Sequence, residues 1–456
     1  MTAPIEPGST ANDWATQKRA LFAVTVVFVL INLVLSLTAV SPDTLVEADS
    51  LTFQRMAEEF VATGAFTEEG RQPLYPLVMA SAIRVAGDGG LSVLVALQIA
   101  MLFATGLSAR AIALPWLGNA ATVVFGLVVL NPNAIGVAHW PLADTLHAFL
   151  FTVSIWALLS FGLHSGLWRA VVCGTVLGLA AMTRPESVLL IFLLPIAIPL
   201  VSWLAKKPTP LVRGILYGFS ALAIANVVSL PWMLHNAAGG NGMAMTGGPK
   251  SSDSARGHYA IAEAERTAST RMVVLQAAWD AEPEVLALAG LADETLVEQR
   301  QYLTRYYLGR TLDVGPVVLA RLYSKAWVAQ FASGGAQSIN LLFGLKLERG
   351  DKFLNEPGAI GAFFDGLKGQ PVASAITLGA VGFAVVARIL GLIGVLVVAA
   401  GRHWPLLVVI VAVLAFKMFV HMFYGLARYR LPVEPLLMIL AVYGWQGLRA
   451  LRPERG

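Results

Sequence analysis

The sequence predicts an all-α polytopic membrane protein, a bundle of about 11 transmembrane helices with a region of loops and helices on one face. Three observations carry that reading. Of the 456 residues, 57% are hydrophobic. Only 13% are charged, where soluble domains carry roughly 25%. The apolar runs reach about 20 residues, the length a helix needs to cross a bilayer and well beyond a barrel strand.

Taken in order, the apolar runs lie at 20–40, 73–87, 91–113, 119–137, 141–163, 168–184, 186–204, 211–231, 376–400, 404–425 and 431–449. They divide the chain into a membrane module at 1–233, a polar region at 234–370 and a closing membrane module at 371–456. The first run follows Lys18-Arg19 and exceeds the core of a cleaved signal peptide, about 7–15 residues, so it reads as a retained span with the N-terminus inside. The net charge of +4 points to cytoplasmic Lys and Arg rather than to nucleic acid. Cys173 is the only cysteine, which excludes an intramolecular disulfide.

Charge sets the topology. Lys18-Arg19, Arg169, the Lys206 to Arg213 loop, Arg402 and the Arg-rich tail read as cytoplasmic. That puts the 41–72 segment, His139 to Asp144, Thr183 to Glu186, Trp232 to Asn236 and Arg428 to Arg430 on the outer side. Four full crossings between Arg19 and His139 would place His139 inside, so the short 73–87 run is expected not to cross fully. Within 234–370, Gly-rich sequence at 239–248 reads as a loop, 258–288 and 292–310 as helices, and 316–346 as an amphipathic interfacial helix.

Chemistry is expected first at 41–72. This segment carries Asp43, Glu47, Asp49, Glu58, Glu59, Glu68 and Glu69 against Arg55 and Arg71. Glu47 and Asp49 do not share a helix face, but they can share the turn before a helix starting near Ser50. An acid there also serves simply as a cap on a helix N-terminus. Arg428 and Arg430, flanking Tyr429, are the phosphate candidates, since guanidinium meets phosphate oxygens in a bidentate fork. His139, Asp144 and His147 suggest a metal, yet a zinc site needs a further ligand with supporting partners, and the sequence offers none. Arg388 and Lys417 sit inside apolar runs and read as packing or snorkelling residues. Tyr75, Trp140 and Trp232 read as interfacial aromatics, with stacking on a sugar as the alternative.

Four motifs add a resemblance. Asp49, Phe53, Ala57 and Gly64, followed by Arg71-Gln72-Pro73-Leu74-Tyr75-Pro76, resemble the first outer loop of GT-C glycosyltransferases, among them aminoarabinose transferases and protein O-mannosyltransferases. Thr183-Arg184-Pro185-Glu186 is similar to that family's turn between spans. Leu230-Pro231-Trp232-Met233-Leu234-His235-Asn236 resembles its Pro-Trp-x-x-Arg-Asn, with His235 where Arg is common. Ala427-Arg428-Tyr429-Arg430-Leu431-Pro432 resembles its Arg-Tyr-Arg-x-Pro before the last span.

The resemblance implies a GT-C-like bundle performing an inverting sugar transfer from a polyprenyl-phosphate donor. The work would take place at the outer face of the bacterial inner membrane. The acceptor would be lipid A or lipopolysaccharide, a wall glycan, another lipid or a protein. It implies Asp49 as general base with Glu47 as helper, and Arg71, Tyr75, Asp144, Arg184, His235, Arg428, Tyr429 and Arg430 around the substrates. Some members use a divalent metal beside the acid and many do not; the sequence commits to none. Two readings from other classes stand beside this one: a transporter or flippase that moves a lipid-linked sugar without chemistry, and a non-catalytic scaffold.

Overall fold

The apolar runs fold as helices, and no strand occurs among the described residues of the computed structural model, which are 11–39, 48–66, 71–206, 211–239, 242–245, 249–345, 365 and 368–451. Among the described residues, eight helical stretches are long and apolar enough to cross a membrane, so the chain is a multi-pass membrane protein. The eleven separate spans read from the sequence do not all reappear as such. Three of them lie in one apolar stretch, Leu74–Val129, which two 3₁₀ turns break into α3 (Leu74–Ala86), α4 (Gly90–Leu117) and α5 (Ala121–Val129). The breaks fall at Gly87 and Gly118, whose φ of 53° is left-handed and suits glycine.

α1 (Ala11–Thr38) enters first, and the amphipathic α2 (Ala48–Thr63) follows. α3 has 13 residues, about 20 Å of helix, too short for a hydrocarbon core of about 30 Å. It folds back along the first third of α4 instead. The Tyr75 hydroxyl donates to Gln98 Oε1 at 2.8 Å, and Gly90 lets α4 approach the backbone of Ile83. Gln98 then donates to the carbonyls of Ala138 and Trp140, at 2.9 and 2.7 Å, near the start of α7 (Asp144–Leu163). The opposite part of α4 pairs with α5, where Gly106 meets Phe125 and Val129. A helix of that length that doubles back on its neighbour need not be a crossing of its own.

α6 (Pro132–Ala138) opens with Asn131, whose side chain accepts from the amides of Asn133 and Ala134. α8 (Leu167–Ala181), α9 (Glu186–Leu204) and α10 (Leu211–Ala238) pack as a sequential trio. Gly174 and Gly178 of α8 sit directly on the backbone of Ala221 and Ala225 in α10, a small-residue contact typical of membrane helices. The closing module is α16 (Pro371–Ala400), α17 (Trp404–His421) and α18 (Glu434–Ala450). α16 and α18 run side by side in the same direction, with Arg388 beside Glu434, Gly391 near Leu437 and Gly447 against Val397.

The polar region is helical too: α11 (Pro249–Thr267), α12 (Arg271–Leu288), α13 (Leu296–Asp313), α14 (Pro316–Ala332) and α15 (Ala336–Leu342). The helix expected over 258–288 is two helices, because Ala268 turns to φ 52° and Thr270 caps the second. Thr295 and Glu298 close a capping box on α13. The amphipathic 316–346 segment breaks at Gly334-Gly335; Leu322 and Ala326 are buried against protein, whereas Val317 and Val328 are exposed. Leu322 packs with Ile261 and Phe423, and Lys325 holds Glu265 at 2.7 Å. In the Gly-rich stretch, described at 242–245, Ala244 accepts from Asn236 at 2.7 Å and Met245 is buried.

Candidate active site

Helix ends bring the polar residues together. Asp49 is the second residue of α2, where the helix dipole favours a carboxylate. Arg71 lies in the turn before α3, and the backbone there is tied down because Leu74 donates its amide to Met182 O at 3.0 Å. Arg428 lies in the 3₁₀ turn Ala427–Val433 that leads into α18. That turn is held by Asn133, which donates to Ala427 O at 3.0 Å.

The three side chains form one triad. Arg71 meets Asp49 Oδ1 at 2.5 Å, and Arg428 meets Oδ2 at 2.6 Å. Arg71 also lies over the Phe53 ring, one helical turn beyond Asp49, at 5.1 Å. Side-chain exposures of 31% for Asp49, 19% for Arg71 and 17% for Arg428 leave all three reachable. Burial alone would raise the Asp49 carboxyl, but the two guanidiniums outweigh it and hold the group well below the usual carboxylate range.

A second pair stands beside this triad. Asp144 opens α7, and Arg184 sits in the turn between α8 and α9; they meet at 2.6 Å. Arg184 reaches Glu186 more distantly, at 3.6 Å. Tyr429 joins the two groups. Its ring lies 5.2 Å from the Arg184 guanidinium and 5.3 Å from that of Arg428. The other side of the cluster is buried. Glu186 meets Lys417 at 2.7 Å, His421 at 2.8 Å and His147 at 3.3 Å. Among the described residues, the carboxylates of Asp49, Asp144 and Glu186 face the cations of Arg71, Arg184, Arg428 and Lys417, with two arginines on the exposed Asp49.

Five residues singled out in the sequence therefore come together through direct ion pairs: Asp49, Arg71, Asp144, Arg184 and Arg428. Others do not fit the expectation. Glu47 lies outside the described residues. Tyr75 is fully buried and bonded to Gln98, so its ring has no face left for a sugar. Arg430 is a correction as well. It is buried against Glu434 and the carbonyls of Gln330 and Ser333, which leaves its guanidinium no room for a phosphate. In a 3₁₀ turn, residues two apart point to different faces, which separates Arg428 from Arg430. His235 stacks on Trp232 at 4.8 Å, and Trp232 meets Phe66; no ion pair joins His235 to the cluster among the described residues. His139 binds Ile135 O at 2.9 Å, away from His147.

Arg388 and Lys417 are not snorkelling residues. Arg388 meets Glu434 at 2.8 Å, and Lys417 is 1% exposed on Glu186. His421 was not singled out at all. The signal was present: α17 is otherwise apolar, and Lys417 and His421 stand four apart on one face. Among the described residues no group of three or more His, Cys, Asp or Glu is arranged to hold a metal ion. Where His147, Glu186 and His421 come nearest to that number, the Lys417 ammonium occupies the carboxylate.

No family model matches the chain, and no curated protein matches it. Solved structures similar to the chain include two of one protein. One is ArnT from Cupriavidus metallidurans in the apo state, 17% identical over 92% of this chain and 77% of that one, with a TM-score of 0.39. The other is ArnT from the same organism bound to undecaprenyl phosphate, 16% identical over 93% and 77%, with a TM-score of 0.35. Likeness at that level carries no conclusion about the chemistry of this chain.

Proposed function

We propose that this chain is a GT-C-type glycosyltransferase that moves a sugar from a polyprenyl-phosphate donor to an acceptor hydroxyl, with inversion and with Asp49 as general base. The observation that carries the reading is Asp49 held, within reach of solvent, between Arg71 and Arg428, which come from turns 22 and 379 residues away in sequence. The four ordered motifs support it from the sequence side.

The chemistry needs few groups. The acceptor oxygen attacks the anomeric carbon, the carbon–oxygen bond to phosphate breaks, and the lipid phosphate leaves with the bonding pair. A carboxylate must take the acceptor proton, and cations must hold the leaving phosphate. On binding, the phosphate competes with Asp49 for the two arginines. An Asp49 so released regains proton affinity, and the base becomes effective once the donor is in place.

The site end is read as the outer face. Arg19, Arg169, Arg213, Arg402 and Arg449 stand on the opposite ends of their helices or on the loops there, as the positive-inside bias requires. This supports an extracytoplasmic site, and we propose the bacterial inner membrane as its setting, with an envelope glycan, lipid or protein as acceptor.

One observation favours a transporter of a lipid-linked sugar: Glu186, Lys417, His147 and His421 form an ionisable cluster on membrane helices, a pattern common in proton-coupled carriers. Mass spectrometry of lipids co-purifying with wild type and with Asp49→Asn from one host separates the two. Sugar-loaded polyprenyl phosphate on the variant and bare polyprenyl phosphate on the wild type are expected. The same loaded lipid on both would favour the transporter, and no polyprenyl lipid on either would overturn the donor assignment.

A further inference from the structure

Glu186 takes no part in the transfer just described, yet four basic side chains converge on it. Burying a carboxylate with an ammonium is costly and gives little net stability, so such a pair calls for a reason beyond stability. The reason lies one contact further. His421 turns Nε2 to Glu186 and its ring face to Tyr429, with centroids 4.6 Å apart and planes within 5° of parallel. Tyr429 is also the ring against which Arg184 and Arg428 lie. Tyr424, packed edge-on to Tyr429 at 6.1 Å and to His258 of α11 at 4.8 Å, closes the surroundings.

We infer that Glu186, Lys417 and His421 form a positioning unit that fixes the Tyr429 ring and, through it, the Arg184 and Arg428 guanidiniums. This rests on the donor reading above for what those arginines then hold. Each member has a distinct task. Glu186 lies 2.8 Å from His421 Nε2 and bounds that ring, whose face sets the plane of Tyr429. Lys417 saturates Glu186, so that the carboxylate does not draw Arg184 away from Asp144; Arg184 lies 2.6 Å from Asp144 and 3.6 Å from Glu186. A guanidinium already lying on an aromatic face loses less freedom when it binds a phosphate.

The test measures arginine reactivity in the full-length protein, with phenylglyoxal as probe and no lipid added. Arg71 stacks on Phe53 rather than Tyr429 and serves as internal reference. Tyr429→Leu is expected to speed labelling of Arg184 and Arg428 by about three- to tenfold, the range a cation–π contact supports, with Arg71 unchanged. Tyr429→Phe keeps the ring and should label as wild type does. Glu186→Gln alone would strand a buried ammonium, so it is paired with Lys417→Met, which removes both charges; that double variant should reproduce the Tyr429→Leu pattern. Unchanged labelling in Tyr429→Leu and in the double variant, or an equal rise at all three arginines, overturns the inference. Undecaprenyl phosphate binding, followed by native mass spectrometry, should weaken in Tyr429→Leu and return in Tyr429→Phe. If the labelling pattern holds while wild type takes up no undecaprenyl phosphate, the donor reading fails and the positioning unit stands.

Discussion

The molecule contains two triads of the same composition, and they do different work. Asp49 sits between Arg71 and Arg428; Glu434 sits between Arg388 and Arg430. Arg428 and Arg430 are two residues apart on one 3₁₀ turn. The first triad is partly exposed, with its carboxylate at 31%, whereas Glu434 and Arg430 are each 1% exposed. In the second, Arg430 also donates to the carbonyls of Gln330 and Ser333, so α14, the turn and α18 are locked together. Charge composition does not distinguish a site from a clasp. Access does, and it is set by which face of the turn a residue occupies.

The sharpest break in the comparison is Asp49→Asn. Amide and carboxylate have the same shape, so the fold is expected to persist while transfer falls by about 10²–10⁴-fold, the range for a general base. Radiolabelled donor turnover with unchanged gel-filtration behaviour checks both halves. Transfer at the wild-type rate would remove Asp49 from the chemistry and leave the exposed triad as a second clasp.

Next in size is Arg430→Ala. It strands Glu434 beside Arg388 alone and unpairs two carbonyls, at a cost of about 3–5 kcal/mol. Thermal unfolding in detergent should detect this as a large drop or as failure to purify monodisperse. Arg428→Ala should unfold within about 1 kcal/mol of wild type, as expected for a partly exposed pair. Equal losses of stability in the two variants would erase the distinction between the triads. Arg428→Lys keeps the charge but loses the fork, so it should raise the donor KM by about tenfold with less effect on stability. An unchanged KM would take Arg428 off the phosphate.

The same pair of triads explains what the sequence discloses. Asp49, Arg71, Asp144, Arg184 and Arg428 were legible because they stand in short motifs at the ends of apolar runs, where polar residues are conspicuous. The helical class was legible from run length. Arg430 was misread because Arg-Tyr-Arg carries no sign of which arginine turns inward; that depends on a 3₁₀ rather than an extended or α-helical turn. Tyr75 was misread because burial under Phe53 and Gln98 comes from α3 folding back on α4, a long-range event with no local signature. Lys417 and His421 were undervalued for the opposite reason. They stand four apart on one face of an apolar helix, but nothing local names their partner, Glu186, which α9 brings from 231 residues away from Lys417.

The smallest effect concerns pH, and it sharpens the reading of Asp49. In the free protein, burial would raise this carboxyl, but Arg71 and Arg428 more than reverse that and depress it. A depressed carboxyl stabilises the fold fully above the ordinary carboxylate range, and that contribution is lost as pH falls through the depressed value. Asp49 is thus ionised at every practical assay pH, and kcat/KM, which reports the free enzyme, should lack an acid limb from it. In the donor complex the phosphate takes the arginines and adds a negative neighbour, and both changes raise the Asp49 pKa. An acid limb should therefore enter kcat at a higher pH than in kcat/KM. Arg428→Met removes one guanidinium in advance and should bring an acid limb into kcat/KM as well. Coincident limbs in kcat and kcat/KM for the wild type would mean that the arginines do not leave Asp49 for the phosphate. The exposed triad would then differ from the buried one in access alone, and not in the exchange of partners that its exposure is argued to permit.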